Sequence, residues 1–142
     1  MARDGDKRGI ASSLNNLGIV AGVRATMRAA RALYEEGLSL QREMGNKQGI
    51  AVSLLNLGIM ALNQGDNATA RALYEESLSL KREMGDKRGI AGSLGNLGLV
   101  ALYQSDYAVA RALLEESLSL CREMGDKRRE SYALLGLGDL AL

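Results

Sequence analysis

Apolar residues in the middle of the chain recur every three or four positions. Ile50, Leu54, Leu57 and Ala61 have the spacing of one face of a helix. A second and wider apolar stripe follows it and consists of Ala70, Leu73, Tyr74, Leu78 and Met84. A wide stripe is typical of a helix that packs on two neighbours. The pattern therefore predicts two amphipathic helices in succession.

This pair of helices repeats along the chain with a period of 40 residues. Residues 45–84 and 85–124 share about 28 of 40 positions, a first copy spans 5–44, and a half copy spans 125–142. Repetition of this density is the signature of stacked units. We therefore expect a single all-α domain over 1–142, a right-handed superhelical α-solenoid of antiparallel helix pairs with about three and a half repeats.

Short polar turns separate the predicted helices. A glycine follows each unit's last helical turn, where a left-handed residue ends a helix at little cost; these glycines are Gly45, Gly85 and Gly125. Residues with side-chain oxygens stand where they would accept from the free amides of the next helix; these are Asn46, Asp66, Asp86, Asp106 and Asp126. Loops of two or three residues make successive helices antiparallel neighbours.

The first copy lacks the turn residues of the others. Between Gly22 and Met27 it has neither the glycine nor the aspartate of Gly65-Asp66, although Thr26 can still cap a helix. An ordinary hairpin is one interpretation. The alternative is that both helices fuse into one rod, whose apolar faces are then covered by exchange with a second chain.

Composition narrows the classes of function. The chain has 142 residues, 46% of them hydrophobic, and a net charge of +1, so no strong field recruits nucleic acid or an anionic membrane. It has five Tyr but no Phe or Trp on which bases could stack. No apolar run is long enough to span a bilayer. The opening "MARDGDKRG" lacks the apolar core of a signal peptide, which predicts a cytoplasmic protein.

No set of residues suggests catalysis. Histidine is absent, which removes the commonest general base and metal ligand. Each Glu-Glu pair follows an arginine by four residues, as in Arg31 and Glu35, so we expect salt-bridged helix faces rather than paired acids. Cys121 occupies the place of Gln41 and Lys81, which predicts an exposed and unreactive thiol. We expect no enzyme activity, no cofactor and no metal site.

Several residues in each copy resemble the tetratricopeptide repeat. The sequence "NLG" recurs at 16–18, 56–58 and 96–98, and a small residue follows at Ala30, Ala70 and Ala110. Leu17 and Gly18 match the family's Leu-Gly pair and Tyr34 its aromatic residue. The chain departs from the family at its usual Trp and Pro, where the second copy has Leu54 and Arg82. The 40-residue unit is similar to those of Leu-Gly-Asn repeat-enriched adaptors, kinesin light chains and bacterial regulators.

The resemblance implies a protein-interaction scaffold whose first helices line a concave groove for a peptide or an amphipathic helix. The implied groove positions are Ser12, Asn15, Asn16, Ile19 and Val23 in the first copy; Val52, Leu55, Asn56, Ile59 and Asn63 in the second; Gly92, Gly95, Asn96, Leu99 and Tyr103 in the third; and Tyr132, Leu135, Gly136 and Asp139 in the half copy. None is Lys or Arg, which argues against a carboxylate clamp.

The asparagine row Asn16, Asn56 and Asn96 admits two interpretations. A carboxamide both donates and accepts hydrogen bonds, so the row could hold the backbone of a bound peptide. Alternatively, the three side chains bond only to neighbouring helices and fix their stacking.

The half copy leaves apolar residues without a second helix to cover them. Glu130 replaces the isoleucine of earlier copies, yet Leu134, Leu135 and Leu137 follow. The leading hypothesis is a scaffold that binds a protein or peptide partner. The alternative is a self-assembling repeat module, a homo-oligomer formed through the apolar ends or through exchange of the first repeat.

Overall fold

The computed structural model of the protein describes residues 4–24 and 27–141, and within these ranges all regular structure is helical. The helices are α1 (Asp4–Arg24), α2 (Met27–Met44), α3 (Lys47–Asn63), α4 (Asn67–Glu83), α5 (Lys87–Tyr103), α6 (Tyr107–Met124) and α7 (Lys127–Ala141). Each helix packs on the next one in the chain, and α5 also contacts α7. The predicted all-α solenoid is confirmed, while the repeat boundaries stay a prediction.

The turns between copies have the backbone that their glycines predict. Gly45, Gly85 and Gly125 have φ angles of 63°, 64° and 67°, in the left-handed region. The turn inside the second copy uses Gly65 at φ 79°, whereas the third copy places Ser105 there at φ 60°. A side chain in this region raises the conformational free energy by roughly 1–2 kcal/mol, so the same turn is less favourable in the third copy than in the second.

Four of the five predicted helix caps are confirmed. Side-chain oxygens of Asn46, Asp66, Asp86 and Asp126 accept from the amides three residues later, at 3.0–3.1 Å. The prediction for Asp106 was wrong, because its side chain makes no cap hydrogen bond. Its Oδ2 instead accepts from Arg71 Nη1 of the preceding repeat, at 3.4 Å.

The first two helices pair within the chain. Lys7 Nζ of α1 lies 3.2 Å from Glu43 Oε2 near the far end of α2. Gly37 of α2 faces α1 so closely that a Cβ atom there would lie 3.0 Å from Asn15 Oδ1. This is the antiparallel packing of the hairpin interpretation, and not that of a fused rod. The connecting residues 25 and 26, including the predicted Thr26 cap, lie outside the described residues.

Glycines allow the two helices of a pair to approach closely. A Cβ atom at Gly58 of α3 would lie 2.5 Å from Tyr74 Cε1 of α4, and one at Gly98 of α5 would lie 2.8 Å from Leu114 Cδ2 of α6. The hydroxyl of Ser77 adds a hydrogen bond of 3.1 Å across the first of these contacts, to the carbonyl of Ala51. Helix pairs are therefore fixed by backbone proximity as well as by apolar burial.

The place shared by Gln41, Lys81 and Cys121 is buried, so the prediction of an exposed thiol was wrong. The three residues are 4%, 9% and 0% exposed. Polar side chains fit there because each finds a partner: Gln41 Oε1 accepts from Asn46 Nδ2 at 3.0 Å. Lys81 Nζ lies 3.2 Å from Asp86 Oδ2. Burial raises the pKa of the Cys121 thiol, which keeps it protonated and unreactive.

Helix α7 lacks the cover that its counterparts receive. Leu54 of α3 and Leu94 of α5 are 0% exposed, while the corresponding Leu134 of α7 is 45% exposed. Gly138 corresponds to Gly58 and Gly98, but a Cβ atom there would meet nothing within 4 Å. The described part of α7 therefore presents an open apolar face.

Candidate functional site

The predicted groove positions stand at equivalent places on the first helices, and many of their apolar side chains reach solvent. Ile59, Leu99, Tyr103 and Tyr132 are 43%, 41%, 62% and 61% exposed. Exposed apolar residues grouped on one face are typical of protein interaction surfaces. Leu55 is half-buried and Asn63 is exposed, while the side chain of Ile19 lies outside the described part of the chain.

The asparagine row is accessible and has free hydrogen-bonding capacity. Asn16 is exposed, and Asn56 and Asn96 are half-buried. Among the described residues, the carboxamides of Asn56 and Asn96 have no hydrogen-bond partner. No bond to a neighbouring helix therefore occupies these two groups, so they can donate to and accept from a ligand.

A guanidinium group beside the groove was missed by the sequence reasoning. Arg129 of α7 extends over α5, with Cζ 3.9 Å from the place that a Cβ atom of Gly92 would take. Its Nη1 donates to the carbonyl of Arg88 at 2.7 Å, and its Nε lies 3.8 Å from Asp126 Oδ2. The guanidinium is thereby oriented while part of it stays accessible.

The sequence contained a signal for this arrangement. Arg129 stands where earlier copies have glycine, such as Gly89, and Gly92 stands where the second copy has Val52. A large side chain gained on one helix is thus matched by a side chain lost on its neighbour. The two changes were not connected in the sequence reasoning because they lie 37 positions apart, in different copies.

Two of the three glutamate pairs form the helix-face salt bridge that was predicted for them; among the described residues, Arg111 and Glu115 do not. Arg31 Nε lies 3.2 Å from Glu35 Oε1, and Arg71 Nε lies 3.4 Å from Glu75 Oε1. The second glutamate of a pair joins successive repeats instead, since Glu76 Oε1 lies 2.8 Å from Arg42 Nη2. These carboxylates are exposed and engaged with arginines, which suits a solvated surface rather than acid–base catalysis.

Shifts in pKa are explained by caps, by burial and, at Glu130, by a hydrogen bond from Arg122 that lowers the pKa. Hydrogen bonds from Thr69 lower the pKa of Asp66, and the amide of Gly89 does the same for Asp86. Burial raises the pKa of Tyr74 within the helix pair. These groups stabilise turns and packing, and they do not converge on one site.

A small cavity of about 90 Å³ lies between the first and second helix pairs, away from the groove positions. Its lining residues are Arg31, Glu35, Leu57, Met60, Ala61, Gln64, Thr69 and Leu73. Sites for small molecules usually measure about 300–1,000 Å³. The cavity is therefore a packing gap between repeats.

None of the helices in the described ranges is long and apolar enough to cross a membrane.

Known structures share this fold at low sequence identity. The Signal Transduction ATPase with Numerous Domains (STAND) protein with a tetratricopeptide repeat sensor from Pyrococcus horikoshii superposes with a TM-score of 0.84 at 19% identity. BtubC (BKLC) from P. vanneervenii superposes with a TM-score of 0.82 at 21% identity. The matches cover 93% and 99% of this chain but only 21% and 57% of those proteins, so the chain corresponds to a part of each.

The sequence itself matches a family of repeats. Models of the tetratricopeptide repeat match residues 9–83 and residues 90–124, which together span most of the chain. No curated protein sequence shows a match to it. The paired helices, the close glycine contacts and these matches agree, and the chain belongs to the tetratricopeptide repeat family.

Proposed function

We propose that the chain is a non-catalytic scaffold that binds an extended peptide or an amphipathic helix along the first helices of its repeats. Tetratricopeptide repeats generally mediate protein–protein interaction, which supports a protein partner. The observation that carries the proposal is the free carboxamides of Asn56 and Asn96 among exposed apolar side chains.

The carboxamides and the apolar side chains would contact different parts of a ligand. A carboxamide can pair with both the N–H and the C=O of a peptide backbone, whatever its side chains are. Apolar neighbours such as Ile59 and Leu99 gain by burying the ligand's own apolar side chains. The backbone contacts hold the segment, and the apolar contacts select its sequence.

Titration of peptides selected from a random displayed library tests this proposal. We expect Asn56→Ala and Asn96→Ala each to weaken binding about 10-fold, since each leaves buried backbone groups of the ligand unpaired. Ser79→Ala is a matched control, because Ser79 is an exposed polar residue on α4. Unchanged affinity in both asparagine variants would remove the backbone-holding role.

A second candidate function is self-assembly, which the open face of α7 favours. Leu134 and Leu135 are 45% and 67% exposed, and Gly138 has space for a side chain from another helix. In this case the partner is a sister chain that covers α7. Exchange of the first repeat is a further form of this hypothesis, although α1 already packs on α2 within the chain.

A further inference from the structure

We propose that the segment bound in the groove carries carboxylate side chains at one end, and that Arg88, Arg128 and Arg129 receive them. This inference rests on the proposed peptide-binding function, and it specifies the charge of the bound segment and the direction in which that segment lies along the groove. The three arginines belong to the first turns of α5 and α7. The proposed site therefore lies at one end of the groove.

The helical register places two of these arginines in line with the groove. Arg88 precedes Gly92 by four residues, and Arg128 precedes Tyr132 by four residues. Residues four apart lie on the same face of a helix. Both side chains are exposed, and neither forms an ion pair with any described residue. They are available to an anionic group on a ligand.

The third arginine is held in place at the groove. The guanidinium of Arg129 rests beside Gly92 and donates to the carbonyl of Arg88 at 2.7 Å. A guanidinium has five N–H donors; this bond uses one of them, and the Nε–H faces Asp126 Oδ2 at 3.8 Å, which leaves three for a ligand. Its orientation is therefore set before a ligand arrives, which reduces the entropy lost on binding. A carboxylate is the group that a guanidinium fork pairs with best.

Acidic groups near these arginines already have partners. Asp86 accepts from the amide of Gly89 and from Lys81 Nζ. Asp126 caps α7 through the amide of Arg129, and its Oδ2 lies 3.8 Å from the guanidinium Nε of the same residue. Glu130 Oε1 lies 3.1 Å from Arg122 Nε. Arg88 and Arg128 are consequently left without an acidic partner among the described residues. An acidic ligand supplies that partner.

The opposite end of the groove has a different character. Asn63 and Tyr103, at the ends of α3 and α5, are exposed and uncharged. The turns beyond them contain the carboxylates Asp66 and Asp106. A ligand with acids at one end and apolar residues at the other therefore meets the unpaired arginines in one orientation and not in the reverse one.

Peptides selected by the intact chain from a random displayed library provide the test. We expect the selected sequences to combine apolar residues with Asp or Glu at one end. Replacing these acids by Gln or Asn should weaken binding. Arg129→Gln should weaken it about 10-fold, as expected for the loss of a charge-assisted hydrogen bond. Arg128→Gln should have a smaller effect of about 3-fold, because an exposed ion pair contributes less.

The controls separate this inference from the function on which it rests. Arg111→Gln removes one exposed cation from α6, which carries no groove position, and should leave affinity unchanged. The side chain of Arg128 forms no ion pair or hydrogen bond with any residue that the structure describes, so its variant tests charge without disturbing stability, and circular dichroism checks the folding of Arg129→Gln. Peptides that need Asn96 but ignore both arginines would overturn the inference and keep the groove function. Selection of no peptide at all would overturn both.

Discussion

Gly58 and Gly98 show how single residues set the distance between helices. Each lies against the large side chain of the following helix, which is Tyr74 in one pair and Leu114 in the other. Gly95 also lies on α5, but a Cβ atom there would be 3.7 Å from Ser117 Oγ, an ordinary contact. The chain thus contains glycines that packing requires and glycines that it does not.

Alanine substitutions should separate these two classes. Gly58→Ala places a Cβ atom 2.5 Å from the Tyr74 ring, and we expect it to lower the free energy of unfolding by about 1–2 kcal/mol. Gly95→Ala should raise it by up to about 1 kcal/mol, because alanine favours helix more than glycine does. Urea denaturation measures both. A stabilising effect at Gly58 would show that the close contact is not a constraint.

Single residues were predicted with uneven success, and the reason lies in their partners. The caps at Asn46, Asp86 and Asp126 depend on amides three residues away, which the local sequence contains. Asp106 instead bonds to Arg71 of the preceding repeat, a contact that only the folded stack creates. The burial of Cys121 likewise depends on how α7 lies over α6, so it could not be predicted from the polar residues at the equivalent positions.

Helices were predictable as elements because their ends are marked in the sequence. Left-handed glycines close α2, α4 and α6, and side chains with oxygens open the helices that follow. The sequence also predicted that the groove positions on the first helices reach solvent. It did not predict that Arg129 contributes to this surface, because that contribution depends on a residue of α7 filling space above α5.

The junction between α4 and α5 should respond to acid. The amide of Gly89 and, to a smaller extent, Lys81 hold the pKa of Asp86 below its usual value of about 4. A lowered folded-state pKa stabilises the fold above the unfolded-state value, and this contribution is lost as the pH falls through the folded-state value. We therefore expect the free energy of unfolding to decrease as the pH falls from about 5 through the usual carboxyl pKa and down to the folded-state pKa.

An asparagine variant isolates the part of this loss that comes from Asp86. Asp86→Asn keeps the cap, as Asn46 does in the preceding turn, but it no longer titrates. Urea denaturation across the same pH range should show a shallower decline than in the parent chain. Equal slopes in the two proteins would contradict a stabilising charge at this position.

The described helices form a one-dimensional stack, and each end of this stack exposes residues whose equivalents are buried in its interior. Leu17 of α1 is 56% exposed, while the equivalent Leu57 is 7% exposed in the interior of the stack. Leu134 of α7 shows the same contrast with Leu94 at the other end. The overall architecture followed from the 40-residue period. The period does not predict how a stack covers its ends, because the interior repeats contain no residues that are specific to an end.

Sedimentation at increasing concentration tests whether sister chains cover α7. The self-assembly hypothesis predicts association that weakens about 10-fold in a Leu134→Ser, Leu135→Ser double variant, since both leucines lose apolar burial. A Leu99→Ser, Tyr103→Ser variant removes apolar side chains from the groove and should associate like the parent chain. A monomer at every concentration would leave peptide binding as the remaining candidate.

The buried thiol at the junction of α6 and α7 makes motion of the terminal helix measurable. Cys121 is the single cysteine of the chain and is 0% exposed, so a thiol reagent reaches it only when that junction opens. A rate of labelling that exceeds the rate of global unfolding therefore reports how often α7 detaches. A ligand or sister chain that clamps α7 would slow this labelling, and one bound elsewhere would not.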